Sequence, residues 1–229
     1  MDLESNVNSV RERIEKAAAR AGRDPGEVKL VAVTKTIEPE RIIKALNLGI
    51  NTLGENYAQE FRDKVKILEQ EASEEIKWHF IGRIQTNKVK YIVGKVELIH
   101  SLDSISAAKE INKRAESLGI KVPVLIEVDT GGEESKAGID PSRLEEFLNE
   151  LGGLSAVDVR GLMTMPPYFD NVEMARPYYI RLRELRDSLL ASFPKLLELS
   201  MGMSGDLEVA IEEGATIIRV GTAIFGERH

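Results

Sequence analysis

Cysteine is missing from the chain altogether, so disulfides, thiolate metal sites and cysteine nucleophiles are excluded. An excess of positive charge is missing too: 31 Lys and Arg stand against 38 Asp and Glu, a formal net charge of −7. That balance argues against a nucleic-acid partner and against an anionic membrane, since both call for a basic patch. No apolar run approaches the roughly 20 residues of a spanning helix. The opening Met1-Asp2-Leu3-Glu4 lacks the basic start of a signal peptide, and the expected location is cytoplasmic. Low-complexity tracts are absent. The hydrophobic content of 42% is ample for a packed core, and 229 residues lie within the range of about 200 to 400 covered by α/β barrels.

Periodicity supplies the fold. Val7, Val10, Ile14, Ala17 and Ala18 share one face of an N-terminal helix that Gly22 can stop. Short β-like runs then recur at 29–34, 50–54, 77–81, 97–101, 122–128, 158–164, 197–201 and 216–221. Helical stretches separate them, with starts at Pro39-Glu40, Asp103-Ser104 and Asp140-Pro141-Ser142, and stops at Gly49 and Gly119. Alternation of this kind implies a parallel sheet. An open doubly wound sheet usually has fewer strands, and no G-x-G-x-x-G turn follows the first strand. The expectation is a single domain over 1–229, a (β/α)8 barrel with an extra N-terminal helix.

In such a barrel the C-terminal strand ends carry the chemistry. Lys35 ends the apolar run Leu30-Val31-Ala32-Val33-Thr34. A lysine desolvated there can attack an aldehyde as the neutral amine; a lysine that merely snorkels outward is the plain alternative. The other strand ends bring Glu55, Asn56 and Tyr57, His79 with Asn87 beyond it, Ser101, Asp129, Met163, Met203-Ser204-Gly205 and Arg219-Val220-Gly221-Thr222. Loops after the seventh and eighth strands commonly hold phosphate in barrels, and Ser204 and Thr222 supply hydroxyls beside Gly221. Helix capping and a tight turn would account for the same residues. A phosphate site facing a lysine suits pyridoxal 5′-phosphate or a sugar phosphate bound as a Schiff base; physics alone leaves both open.

Longer motifs carry a resemblance. Val-Ala-Val-Thr-Lys-Thr, Gly-Glu-Asn-Tyr-x-Gln-Glu, Trp-His-Phe-Ile-Gly-x-x-Gln-x-Asn-Lys, Arg-Gly-Leu-Met-Thr-Met, Leu-Ser-Met-Gly-Met-Ser-x-Asp and Arg-Val-Gly-Thr-x-Ile-Phe-Gly resemble the pyridoxal phosphate homeostasis family across nearly the whole chain. The family is similar to the N-terminal barrel of alanine racemase. The resemblance implies that Lys35 holds pyridoxal 5′-phosphate (PLP) as a Schiff base and that Ser204, Gly221 and Thr222 cradle its phosphate. It further implies Arg219 at the pyridine nitrogen, Asn56 near the ring hydroxyl, Met163 against the ring and His79 close by. For Met163 a core methionine, and for His79 a satisfied structural histidine, are the alternatives. Asp129 stands where the family usually has asparagine, which leaves open whether it faces the cofactor. Ser135, Lys136 and Gly138 form a loop small and polar enough to act as a lid.

An arginine at the pyridine nitrogen disfavours its protonation and mutes carbanion chemistry. A two-base racemase also needs a proton donor opposite the lysine, which alanine racemase draws from a further domain, and this chain ends soon after its eighth strand. The expectation is therefore a cytoplasmic PLP carrier without robust turnover and with no metal assigned. It would be a monomer that passes the cofactor by transimination to free amino acids or PLP-dependent apoenzymes, with no nucleic-acid or membrane partner. A weak amino-acid racemase is the second reading and a Schiff-base sugar-phosphate aldolase the third.

Overall fold

The computed structural model describes residues 2–72, 75–132 and 137–227. The N-terminal helix α1 (Leu3–Arg20) buries Val7, Val10, Ile14, Ala17 and Ala18, and Asp2 caps it by accepting the Ser5 N–H. Strands and helices then alternate: β1 (Lys29–Val33), α2 (Pro39–Asn47), β2 (Thr52–Glu55), α3 (Ala58–Glu71), β3 (Lys77–Phe80), α4 (Val89–Ile92), β4 (Leu98–Leu102), α5 (Ile105–Leu118), β5 (Val122–Glu127), α6 (Leu144–Leu151), β6 (Val157–Met163), α7 (Arg176–Leu189), β7 (Glu198–Ser200), α8 (Leu207–Glu212), β8 (Ile217–Val220) and α9 (Thr222–Phe225). All strand neighbours pair in parallel, and β8 returns to β1 to close the barrel. Every strand expected from the sequence is present, with ends shifted by one or two residues where the ladder starts or stops.

The pleat sorts the side chains. On β3, Trp78 and Phe80 belong to the core between barrel and helices, where Phe61 of α3 meets Trp78 edge to face at 5.3 Å. His79, between them, points into the barrel. A separate inner cluster of Val31, Leu98, Leu125, Met163 and Ile217 fills the lumen. One pleat higher toward the C-terminal mouth the inner wall is polar, with His79, His100, Ser200 and Arg219 all buried. The barrel is therefore a packed core with a polar upper layer, not a pore.

Helix stops follow their glycines: Gly119 closes α5 at φ 66° and Gly49 follows α2 at φ 78°. The loop leaving β2 passes the loop after β3 so closely that a Cβ on Gly82 would lie 1.9 Å from the Asn56 carbonyl, a contact only glycine permits. Of the sequence-expected lid, Ser135 and Lys136 lie outside the described residues. Gly138 adopts φ 118° with no room for a Cβ, 2.7 Å from the Asp129 nitrogen. The loop's base is fixed there by the Asp129 N–H donating to the Ile139 carbonyl.

Candidate functional site

At the C-terminal mouth, the ends of β1 and β8 and the loops after β6, β7 and β8 enclose a cavity of about 500 Å³ whose lining includes Lys35, Ser204, Arg219, Gly221 and Thr222. Lys35 is half-buried, one residue beyond the buried Thr34. Opposite it, the turn into α9 brings the N–H groups of Gly221 and Ala223 to Ser204 Oγ, each at 3.2 Å. A hydroxyl has one proton and two lone pairs. With two bonds accepted, the Ser204 O–H remains to donate. Thr222 is exposed toward the opening.

The Ser204 turn is fixed from two sides. Asp206 accepts the Met203 N–H at 2.6 Å and the Tyr179 hydroxyl at 2.8 Å, so its carboxylate is engaged although it also lines the cavity. Burial and the Asp206 carboxylate raise the Tyr179 pKa, keeping the phenol a donor. From outside, Arg13 of α1 forms a two-toothed ion pair with Glu208 at 2.6 and 2.8 Å and donates to the Ser204 carbonyl at 3.0 Å. Asn6 of the same helix donates to the Ile224 carbonyl at the end of α9. The extra N-terminal helix thus braces both loops of the candidate phosphate site.

Arg219 leans across the barrel floor. Its Nη1 donates to Ser200 Oγ at 2.6 Å and its Nη2 to the Thr164 carbonyl at 3.0 Å. Beyond it the bonds continue, Ser200 Oγ to His100 Nδ1 at 2.9 Å and His100 Nε2 to His79 Nδ1 at 2.8 Å. A guanidinium only donates, so Ser200 Oγ accepts at the Arg219 end, and the donor and acceptor along the rest of the row follow the tautomers of the two rings. His79 Nε2 has no partner among the described residues. Both imidazoles are neutral: burial lowers the His79 pKa to about 3 and that of His100 well below its usual value. Burial lowers the Arg219 pKa as well.

Of the remaining sequence-expected residues, Asn56 borders a neighbouring pocket with Tyr57, Gly82, Arg83 and Lys88, and its Oδ1 is buried without a partner among the described residues. Met163 belongs to the inner apolar cluster and His79 to the hydrogen-bonded floor, so neither is among the cavity-lining residues. Asp129 turns on its own loop, accepting the N–H groups of Gly131 and Gly132. Ser101 holds the β3 loop by donating to the Gly82 carbonyl. Glu55 is fully buried behind β1, where it accepts from Thr34 Oγ1 and from Lys64; it does not cap the helix that follows it.

Glu127 is among the residues that the sequence analysis missed. Glu127 ends β5 with the inward parity of Leu125 and is 8% exposed. Burial, then the Asp103 carboxylate, raise its pKa to about 7, against the pull of Arg219 and Arg83. A carboxylate at the end of an otherwise apolar strand was the available signal, the same one that drew attention to Lys35.

The comparisons with known proteins agree with this architecture. Residues 5–229 match the family described as alanine racemase, N-terminal domain. The pyridoxal phosphate homeostasis protein of Aquifex aeolicus is 52% identical over 229 residues, covering 100% of this chain and 99% of its own. PipY of Synechococcus elongatus, solved with PLP bound, is 34% identical at a TM-score of 0.82, covering 93% of this chain and 100% of that one. An alanine racemase of Clostridium difficile, 18% identical at a TM-score of 0.75, covers 99% of this chain but uses 57% of its own length, and shares the fold. On the strength of the full-length match and the domain match together, the chain belongs to the pyridoxal phosphate homeostasis protein family.

Proposed function

We propose that the cavity binds pyridoxal 5′-phosphate and that the chain stores, buffers or delivers it without robust catalytic turnover. The observation that carries this reading is the convergence of Lys35, Arg219, Ser204, Gly221 and Thr222 on one cavity from strands far apart in sequence. Their chemistry fits the group: an amine for an aldehyde, a hydroxyl left free to donate, and glycine-flanked N–H groups for an anion. When bound, the cofactor supplies an aldehyde that condenses with amines with loss of water.

Lys35 would hold the aldehyde carbon as a Schiff base. Ser204, Gly221 and Thr222 would hold the phosphate, and Arg219, fixed by Ser200 and Thr164, would face the ring nitrogen. Asn56 and Met163, which lie beyond the cavity lining, would approach the ring from the neighbouring pocket and from the apolar layer below, while His79 acts at a distance by completing the chain that fixes Arg219. A permanent cation at the ring nitrogen keeps a proton off that atom, which favours holding the cofactor over carbanion chemistry. Tyr168 is the one phenol lining the cavity among the described residues and is 88% exposed. At that exposure none of the described residues packs it in place as an opposite-face proton donor, which weighs against a racemase. Among the described residues no helix is long and apolar enough to cross a membrane. The reading takes the chain as a single-domain cytoplasmic monomer whose partners are PLP and the amines or apoenzymes that receive it.

The test is to titrate the purified protein with PLP and follow its visible absorption, then to add α-deuterated alanine. The expected result is a saturable band that Lys35→Ala abolishes, with negligible loss of deuterium. Turnover of alanine would install the racemase, and retro-aldol cleavage of a sugar phosphate without a band would install the aldolase.

A further inference from the structure

Immediately after Lys35 the backbone does something unusual. Thr36 adopts φ 61°, the one positive-φ residue other than glycine among the described residues. A branched side chain resists that conformation, and such outliers persist only where surrounding groups impose them. Here the imposing groups come from α3. Glu60 Oε1 accepts the Thr36 N–H at 2.5 Å. Lys64, 6% exposed, donates from one ammonium to the Thr34 carbonyl at 2.5 Å, to Glu55 Oε1 at 2.8 Å and to Glu60 Oε1 at 2.6 Å. The peptide groups on both sides of Lys35 are therefore gripped by one ion cluster, the carbonyl at 34 by Lys64 and the N–H at 36 by Glu60.

The cluster lies outside the barrel wall, between β1, β2 and α3, and none of its charged members lines the cavity. A buried ion cluster is a poor source of stability, because desolvation offsets most of the attraction. Glu55 illustrates the cost: burial raises its pKa against the opposing influence of Lys64, and its Oε2 has no partner among the described residues. What such a cluster does supply is a fixed geometry at the groups it touches.

We infer that Glu60 and Lys64 are positioning residues that hold the turn from Thr34 to Thr36 with Thr36 in its left-handed form, and so aim Lys35 into the cavity. This rests on the proposed role of Lys35 as the residue that takes the aldehyde. The ammonium of Lys64 is held by three acceptors and is not itself an alternative attachment point.

Glu60 is the position to test, because Lys64→Met would strand the Glu55 carboxylate and threaten folding. In Glu60→Ala the Thr36 N–H loses its acceptor. Two readouts follow. In the protein without cofactor, amide hydrogen exchange at Thr36 accelerates, while amides in the middle of α3 keep their protection. With PLP added, the rate of forming the borohydride-trappable adduct at Lys35 falls about tenfold, the scale on which a left-handed residue other than glycine is disfavoured. Glycine occupies that conformation freely, so adding Thr36→Gly to Glu60→Ala restores the rate to within about threefold of the wild type. A role for Glu60 in general stability would not be rescued by a glycine at 36. Unchanged exchange and rate in Glu60→Ala, or no rescue by the glycine, overturns the inference. A wild-type protein that forms no adduct at Lys35 overturns the cofactor reading itself, which keeps the two failures apart.

Discussion

On the β7–β8 flank the cavity is lined by hydroxyls and backbone N–H groups, with Ser204 Oγ receiving the N–H groups of Gly221 and Ala223. On the β1–β2 flank the lysine sits on a turn gripped from behind by Lys64, Glu55 and Glu60. The first flank offers neutral donors around Ser204, above the Arg219 guanidinium of the floor, and is braced by a helix that precedes the barrel, through Arg13 and Asn6. The second is made of buried ions and is braced by the helix between β2 and β3. The difference matches what each flank has to do under the proposed function. An anion is bound by preformed dipoles that need no change of protonation, whereas a reacting amine must be aimed at one atom.

Three of the predictions separate the flanks, and one tests the floor between them. The largest effect belongs to the lysine side: Lys35→Ala abolishes the visible band and the reducible adduct, and lowers affinity for PLP by about 100-fold, because the covalent link is lost while the phosphate contacts remain. Residual binding, measured by equilibrium dialysis, should then depend on Ser204.

Next is the floor shared by both flanks. Glu127 has its pKa raised from 4.5 to about 7. The unfolded carboxyl releases its proton first as pH rises, so folding stability is lost between about pH 4.5 and 7. At pH 8 the wild type has given up at most roughly 3 kcal/mol on this account. Glu127→Gln should therefore unfold at higher denaturant concentration at pH 8 and match the wild type near pH 4.5. His79, its pKa lowered to about 3, and His100, lowered well below its usual value, slope the other way. Their unfolded rings take protons below about pH 6.5, so stability falls with acid. In Glu127→Gln the larger opposing slope is gone, leaving the smaller one of Glu55, and the pH of maximum stability moves upward.

On the phosphate flank, Ser204→Ala removes the acceptor that organises two N–H groups. Affinity for PLP should fall about tenfold while affinity for pyridoxal, which lacks the phosphate, stays level. The smallest effect is expected from the outer brace: Arg13→Gln should weaken PLP by about threefold, again without touching pyridoxal, as befits a partly exposed ion pair acting through a loop. Equal losses for the two ligands in either variant would move the phosphate elsewhere.

The fold was legible because alternating β and α periods leave few topologies for eight short strands, and the misjudged strand ends lie where side-chain pattern no longer tracks the ladder. Five of the residues lining the cavity were legible as strand ends: Lys35, Ser204, Arg219, Gly221 and Thr222 needed only the rule that barrel chemistry gathers at the C-terminal face. What escaped were residues whose partners are distant in sequence. Nothing about Arg13 in a helical repeat announces a bond to Ser204, 191 positions away. Nothing about Lys64, at a position that reads as helix surface, announces that it grips the backbone beside Lys35. His79 and His100 became a single feature only when the barrel placed them one bond apart.

The central claim is that one lysine, Lys35, is where the cavity meets an aldehyde. Borohydride reduction of the protein saturated with PLP, followed by peptide mass mapping, tests it directly. The account predicts one reduced adduct per chain, on the peptide containing Lys35 and absent from Lys64; adducts scattered over surface lysines, or none at Lys35, would contradict it.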